Sequence, residues 1–266
     1  MGIERVADRV KHSMNWHISG NRSELRQMRI AQIQQGAMLL PNGELANMAI
    51  MTRRETVGGI LDSAAVMATG AGEAAQEDHI SLPAPHRQGG LPLLSALNLR
   101  RSTREYATRS LPLQTLSDLL WAAFGVNRPS GDRTVPYWRH VMVIDIYVAR
   151  ADGVWLYDPK VHELLPYMSG DIRAQTGTQD FVGVAPLNLI YVAHGEHMPE
   201  LKPEERRLYC SVDTGFIGQN VYLFCASEGL VTVFRGAVDY AKLAAILKLP
   251  DQQFVTFAQT VGYART

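Results

Sequence analysis

The chain reads as an α+β protein, and three observations carry that reading. Some segments repeat apolar residues at helical spacing, others hold the β-branched runs of strands, and the two kinds are mixed without strict βαβ alternation. Leu113, Leu116, Leu119, Leu120, Ala123 and Phe124 fall on one helical face, with Pro112 placed to open the helix and Gly125 to close it. Asn127 to Pro136 is rich in Gly, Pro and charge and reads as a loop. Val141–Ala149 is a strand, and Ala151-Asp152-Gly153 turns it into a second, Val154–Tyr157, making a hairpin. Leu187–Ala193 is a further strand. Glu204–Glu228 is a long helix, apolar nearly all round through Val212, Phe216, Ile217, Val221, Leu223 and Phe224, and therefore expected to be buried on most sides. Within it, Gly215 and Gly218 either admit a close neighbour or are simply tolerated. Leu230–Phe234 is a strand, Tyr240–Leu247 a short helix and Phe254–Gly262 a last strand.

The N-terminal third differs from this core. Residues 1–50 are mixed polar with a helix expected around Arg22–Gln35, and form an N-terminal extension. Residues 51–90 hold paired arginines, Arg53-Arg54, then a weakly apolar stretch and small residues to Ala75, like a twin-arginine export signal. Asp62 interrupts that stretch, and such a signal works only if translation starts at Met51. A 50-residue leader before an inert segment is the alternative. The chain as written is expected in the cytoplasm, and in the periplasm if it starts at Met51. Residues 79–92 carry Pro83, Pro85, Pro92, Gly89 and Gly90 and read as an extended linker, and the core is expected over 91–266.

Composition narrows the function classes. At 266 residues, 46% of them hydrophobic and with zero formal net charge, the chain suits a globular protein and not a general nucleic-acid binder. No run approaches the 18 or more apolar residues of a membrane span. Cys210 and Cys225 fall in one helix, about 22 Å apart along its axis, far beyond the roughly 7 Å that a disulfide allows. No Cys-based zinc site is available, and His194-Gly195-Glu196-His197 lacks HExxH spacing and follows a strand, so a loop is expected there and no metal. No GxGxxG follows a strand, and neither a P-loop nor a GxSxG elbow is present.

The feature with chemistry in it is Arg100-Arg101-Ser102-Thr103-Arg104, echoed by Arg265. Guanidinium groups are planar forks of donors that match phosphate oxygens and stay charged at any working pH. Taken alone the cluster is either a phosphate clamp or a solvated arginine turn with a kinase-type site at Ser102. Zero net charge favours a small phosphorylated ligand over a polynucleotide.

The run Leu97-Asn98-Leu99-Arg100-Arg101-Ser102-Thr103-Arg104-Glu105-Tyr106 resembles the opening of a nitroreductase-family domain. Leu111-Pro112-Leu113, Leu116 to Gly125, Asp180-Phe181 and Ala185 to Val192 follow in that family's order. So do Asp213-Thr214-Gly215, Ala226 to Leu230, Arg235-Gly236 and Val261-Gly262-Tyr263-Ala264-Arg265. The likeness spans about 91–266, and within the family it points to the SagB/thiazole-oxidase-type dehydrogenases, which include azoline oxidases. It implies a mainly antiparallel sheet flanked by helices, in an obligate homodimer with FMN in clefts between subunits. Arg100, Arg101, Ser102 and Arg104 would hold the phosphate and ribityl chain, and Arg265 would close on the phosphate. The backbone at Arg235 and Gly236 would lie against the flavin ring, where a glycine permits close approach. The implied chemistry is ping-pong hydride transfer from NAD(P)H or an organic donor to a nitroaromatic, quinone or azoline-type partner.

One segment departs from the pattern. Where the family commonly reads Pro-Ser-x-Arg/Gly-Asn, this chain has Pro136-Tyr137-Trp138-Arg139-His140. Arg139 is in place, while His140 replaces the usual asparagine at the pyrimidine edge of the flavin and can still make one hydrogen bond. The segment is alternatively a surface loop with no ligand role. A catalytically idle flavin-binding partner subunit and a non-flavin phosphate-binding module are the readings that compete with an FMN oxidoreductase.

Overall fold

The computed structural model describes residues 79–265. The expected 22–35 helix and the twin-arginine-like segment lie outside the described residues. Twelve elements follow in chain order, with short turns between them: β1 (Ile80–Ser81), α1 (Leu93–Leu99), α2 (Leu113–Phe124), β2 (Ile144–Arg150), β3 (Gly153–Asp158), β4 (Glu163–Ser169), α3 (Phe181–Val184), β5 (Leu187–His194), α4 (Pro203–Ser227), β6 (Val231–Arg235), α5 (Tyr240–Ile246) and β7 (Gln253–Gly262).

The strands form one antiparallel sheet in the order β1-β4-β3-β2-β5-β7-β6. With helices packed on it, the fold is α+β, as the mixed pattern predicts. β5 lies between β2 and β7 and is buried along its whole length, which is why Leu187–Ala193 is apolar but for Asn188. The hairpin sits where Ala151-Asp152-Gly153 places it. Gly153 has φ 144° and lies against the Met168 carbonyl, a position closed to a side chain. The sequence reading passes over β4 because Pro166 stands inside it. Pro166 is tolerated because β1 pairs only with Glu163 and Leu164, and among the described residues no strand pairs with that edge of β4 from there on.

α2 begins after Pro112 and ends at Gly125, whose N–H bonds the Trp121 carbonyl at 2.8 Å. The Pro-rich stretch 79–92 holds no helix and, beyond β1, no strand, and it is a strap fastened to the core. Ser117 Oγ donates to the Pro83 carbonyl at 2.6 Å, Gln114 Nε2 to the Ala84 carbonyl at 3.1 Å, and the His86 N–H bonds Asp118 Oδ1 at 2.8 Å. The Leu91 N–H reaches Ser227 Oγ at 2.7 Å. Ser117 in turn accepts from His162 Nε2 at 2.7 Å, and His162 Nδ1 accepts from the Tyr157 hydroxyl at 2.9 Å. Burial lowers the His162 pKa, in keeping with a neutral ring in that chain of bonds.

α4 organises the rest. Its inner stripe, Cys210, Asp213, Thr214, Ile217, Gly218, Val221 and Cys225, is buried against the sheet at helical spacing. Both cysteines are free, as their place on one helix requires. The expectation of burial on most sides fails on the outer face, where Leu208, Tyr209, Val212 and Phe216 are exposed. Of the two glycines, Gly215 has open space around it, whereas a Cβ on Gly218 would stand 2.5 Å from the Phe234 ring. That ring is wedged against Tyr191 and Phe257. Gly218→Ala is therefore expected to cost about 1–3 kcal/mol, read as a lowered midpoint in thermal unfolding followed by circular dichroism.

Candidate active site

The basic segment is built onto the free edge of the sheet. Ser102 pairs in parallel with Thr232 of β6, and the Thr103 N–H bonds the Thr232 carbonyl at 3.0 Å. Arg100 itself caps the preceding helix, its N–H bonding the Ala96 carbonyl at 2.9 Å. Arg101 and Thr103 line a cavity of about 260 Å³ together with Tyr222, Cys225 and Thr232. Further along, Tyr106 pairs antiparallel with Ala264, and the Ala107 N–H bonds the Tyr263 carbonyl at 2.9 Å. That register carries Arg265 opposite Glu105, next to Arg104. Two segments more than 150 residues apart in sequence thus bring their arginines to one edge.

None of Arg100, Arg101, Arg104 and Arg265 forms an ion pair with a described residue. Four guanidinium groups without carboxylates are a donor set matched to a phosphate, whose oxygens only accept. Arg100 lies over the Tyr222 ring with its Cζ 5.3 Å from the centroid. The residues present fit the phosphate end of FMN.

Arg235 stands differently. Its side chain is 2% exposed and turned into the core. Nε donates to Thr260 Oγ1 at 2.9 Å, one terminal nitrogen to the Thr176 carbonyl at 3.0 Å, and the other to Asn188 Oδ1 at 3.1 Å. Burial lowers its pKa to about 10. The side chain is engaged in structure, so what Arg235 can offer a ligand is backbone, together with the exposed Gly236 that follows it. Sequence reasoning missed Thr176, Asn188 and Thr260, because nothing local marks a buried polar residue whose partners come from other strands.

Arg139 and His140 lie in a tight turn over Trp138–His140, both with left-handed backbone, φ 43° and 59°. The turn is pinned from α4, where the buried Asp213 carboxylate accepts the Trp138 N–H at 2.9 Å. Burial raises the Asp213 pKa and that hydrogen bond opposes it. The two side chains are exposed, 69% for Arg139 and 84% for His140, and they face Glu200 and Asp132. Among the described residues they meet those carboxylates and aromatic neighbours, not the arginine edge.

The His194–His197 segment is a short helical turn after β5 and holds a compact charge cluster. His194 Nε2 lies 3.0 Å from Asp145 Oδ2, and its Nδ1 lies 2.9 Å from Glu196 Oε1. Both ring nitrogens therefore face carboxylates, the arrangement of an imidazolium that donates twice. Donor atoms of His194, Glu196 and His197 come within 4.8 Å of one another, but a cation there would have to displace the His194 proton. Burial alone would lower the His194 pKa, and the bonds to Asp145 and Glu196 outweigh it and raise it to about 10. Glu196 is held down to about 2, burial notwithstanding, by the same histidine.

Comparison with known proteins is consistent with this architecture. The nitroreductase family model matches residues 97–263. A nitroreductase-family protein of Methanocaldococcus jannaschii is 32% identical over 171 residues, covering 60% of this chain and 86% of the relative. A crystal structure of a nitroreductase-family protein from Ralstonia eutropha JMP134 is 42% identical, with a TM-score of 0.69 over 80% of this chain and 98% of that one. The microcin synthetase McbBCD complex of Escherichia coli shares the fold, at 18% identity and a TM-score of 0.55, over 78% of this chain and 85% of that one.

The charge cluster sets a pH dependence. The folded His194 pKa, about 10, exceeds its ordinary 6.5, so its stabilisation is full below about 6.5 and fades as pH rises toward 10. Glu196 acts in the opposite sense, its contribution present above 4.5 and lost as pH falls toward 2. Melting temperature against pH should therefore decline at both ends, and His194→Gln should flatten the decline between pH 7 and about 10.

Proposed function

Because the chain belongs to the nitroreductase family of FMN-dependent oxidoreductases, we propose that it binds FMN at the arginine edge. There it moves hydride between NAD(P)H or an organic donor and an acceptor such as a nitroaromatic, a quinone or an azoline-type substrate. The observation that carries this reading is the set Arg100, Arg101, Arg104 and Arg265, drawn together by backbone pairing and left without carboxylate partners among the described residues. FMN supplies the hydride chemistry, in ping-pong alternation of donor and acceptor.

The residues of this chain bind and orient. Arg100, Arg101, Ser102 and Arg104 hold the phosphate and ribityl chain, and Arg265 approaches the phosphate from the segment after β7. Gly236 leaves room for a flat ring to approach the backbone, with Arg235 anchoring that backbone from beneath. Arg139 and His140 belong to this proposal as the pyrimidine-side pair. Membership in the SagB/thiazole-oxidase-type branch is likewise part of the proposal.

A homodimer completes the reading. Leu208, Val212 and Phe216 repeat every four residues on the outer face of α4, and Tyr209 joins them, giving an exposed apolar stripe beside a stripe that is already buried. A second copy covering that stripe accounts for the nearly all-round apolar character of the helix.

Purified full-length protein should be yellow, and Arg104→Ala should lose most of its flavin, since a charge-assisted phosphate contact contributes about 1.5–3 kcal/mol, roughly 10- to 100-fold in affinity. Turnover of NAD(P)H with menadione or a nitrofuran separates the enzyme from an idle flavin-binding subunit. Yellow protein that turns over with no donor sinks the oxidoreductase reading for those substrates, and protein that takes up no FMN sinks both. Phe216→Glu should shift the protein from dimer to monomer in size-exclusion chromatography with light scattering, because burying one such ring contributes about 1.5–3 kcal/mol that a carboxylate forfeits.

A further inference from the structure

Three contacts converge on Tyr222, a half-buried residue of α4 that faces the arginine edge. The Phe234 N–H bonds its hydroxyl oxygen at 2.9 Å, Ser102 Oγ lies 2.7 Å from the same oxygen, and the Arg100 guanidinium covers the ring. A backbone amide can only donate, so the phenol oxygen accepts from Phe234. The phenol hydrogen then has Ser102 Oγ as its acceptor. With the opposite polarity, Ser102 would donate to an oxygen that already accepts, and the phenol hydrogen would be left without a protein acceptor among the described residues. The first arrangement satisfies every group, and it leaves the Ser102 hydroxyl hydrogen unspent.

We infer that Tyr222 is a positioning residue that fixes Ser102 as a hydrogen-bond donor to the anion held by the arginines, and so makes the site select a phosphorylated flavin over the same flavin without its phosphate. The inference rests on the flavin reading above. Tyr222 holds Ser102 through its hydroxyl and Arg100 through its ring, two of the residues that the flavin reading assigns to the phosphate. Through Phe234 it also ties them to the strand that leads into Arg235 and Gly236. A serine hydroxyl with no such partner rotates freely and spends part of its time as an acceptor, which an anion repels.

The test is a fluorescence titration of the full-length apoprotein with FMN and, separately, with riboflavin, for wild type, Tyr222→Phe, Ser102→Ala and the double variant. Phenylalanine keeps the ring under Arg100 and removes only the hydroxyl. Tyr222→Phe should weaken FMN about 5- to 20-fold and leave riboflavin binding within about twofold. Ser102→Ala should show the same FMN-selective loss, and the double variant should lose little more than either single one, because both changes remove one linked interaction. Ser102 is exposed, so its variant keeps the test open if Tyr222→Phe folds poorly. Equal weakening of both flavins, an unchanged FMN-to-riboflavin ratio, or additive losses in the double variant overturns the inference while leaving the flavin reading intact. Wild-type protein that binds neither flavin overturns the flavin reading and this inference with it.

Discussion

The parallel pairing of Ser102 with Thr232 is the contact on which the site depends. β6 is the last strand of the sheet, and its outer edge would otherwise present unpaired backbone groups. The basic segment covers part of that edge and is fixed to it at Ser102 and Thr103. Thr232 is itself fixed from within. Its hydroxyl donates to the Thr260 carbonyl at 2.7 Å and accepts from Gln259 Nε2 at 3.1 Å, and Gln259 Oε1 accepts from the buried Tyr191 hydroxyl at 2.7 Å. A satisfied buried network of this kind permits one arrangement where an apolar core would tolerate several. The position of a surface cation cluster is thereby set by groups deep in the protein.

α4 links the arginine edge to the Trp138–His140 turn, which backbone pairing does not reach. Asp213 holds the Trp138–His140 turn, and nine residues further along Tyr222 holds the arginine segment, a separation of about 13 Å at helical rise. Both depend on the helix lying tightly on the sheet, which Gly218 allows by leaving room for Phe234. The inner stripe thus sets distances within the chain. The outer stripe of Leu208, Val212 and Phe216 has no such duty, and a solvated helix face does not explain its exposure.

How far the sequence reveals this differs from element to element for physical reasons. Local signals succeed: Pro112 and Gly125 bracket α2, and Gly153 marks the hairpin. Signals that need a partner fail. Pro83 and Pro85 look like linker because an extended strap has no periodicity, and its fastening comes from the side chains of Gln114, Ser117 and Asp118. Pro166 hides β4 because its tolerance depends on how short β1 is. The left-handed backbone of Arg139 and His140 carries no glycine or asparagine to advertise it. Tyr222 looks like one more aromatic on an apolar helix until Ser102 and Phe234 are seen against it.

Arg235 shows why residue type and residue role separate at this site. A buried guanidinium with neutral partners forgoes the attraction of a carboxylate, and its desolvation is costly in proportion. What it gains is reach. Its planar fork bonds Thr260 on β7, Asn188 on β5 and Thr176 in the loop before α3 at once, and Thr260 Oγ1 closes the set by donating to Asn188 Oδ1 at 2.6 Å. An ammonium group offers three donors from a single point and cannot span three segments in that way. The arginine therefore acts as a cross-brace beneath the last residue of β6, and the backbone that leads to Gly236 is held by groups that never reach the surface. On one sheet edge, arginines with no carboxylate partner among the described residues stand at the surface, while one arginine is turned inward to keep that edge in place.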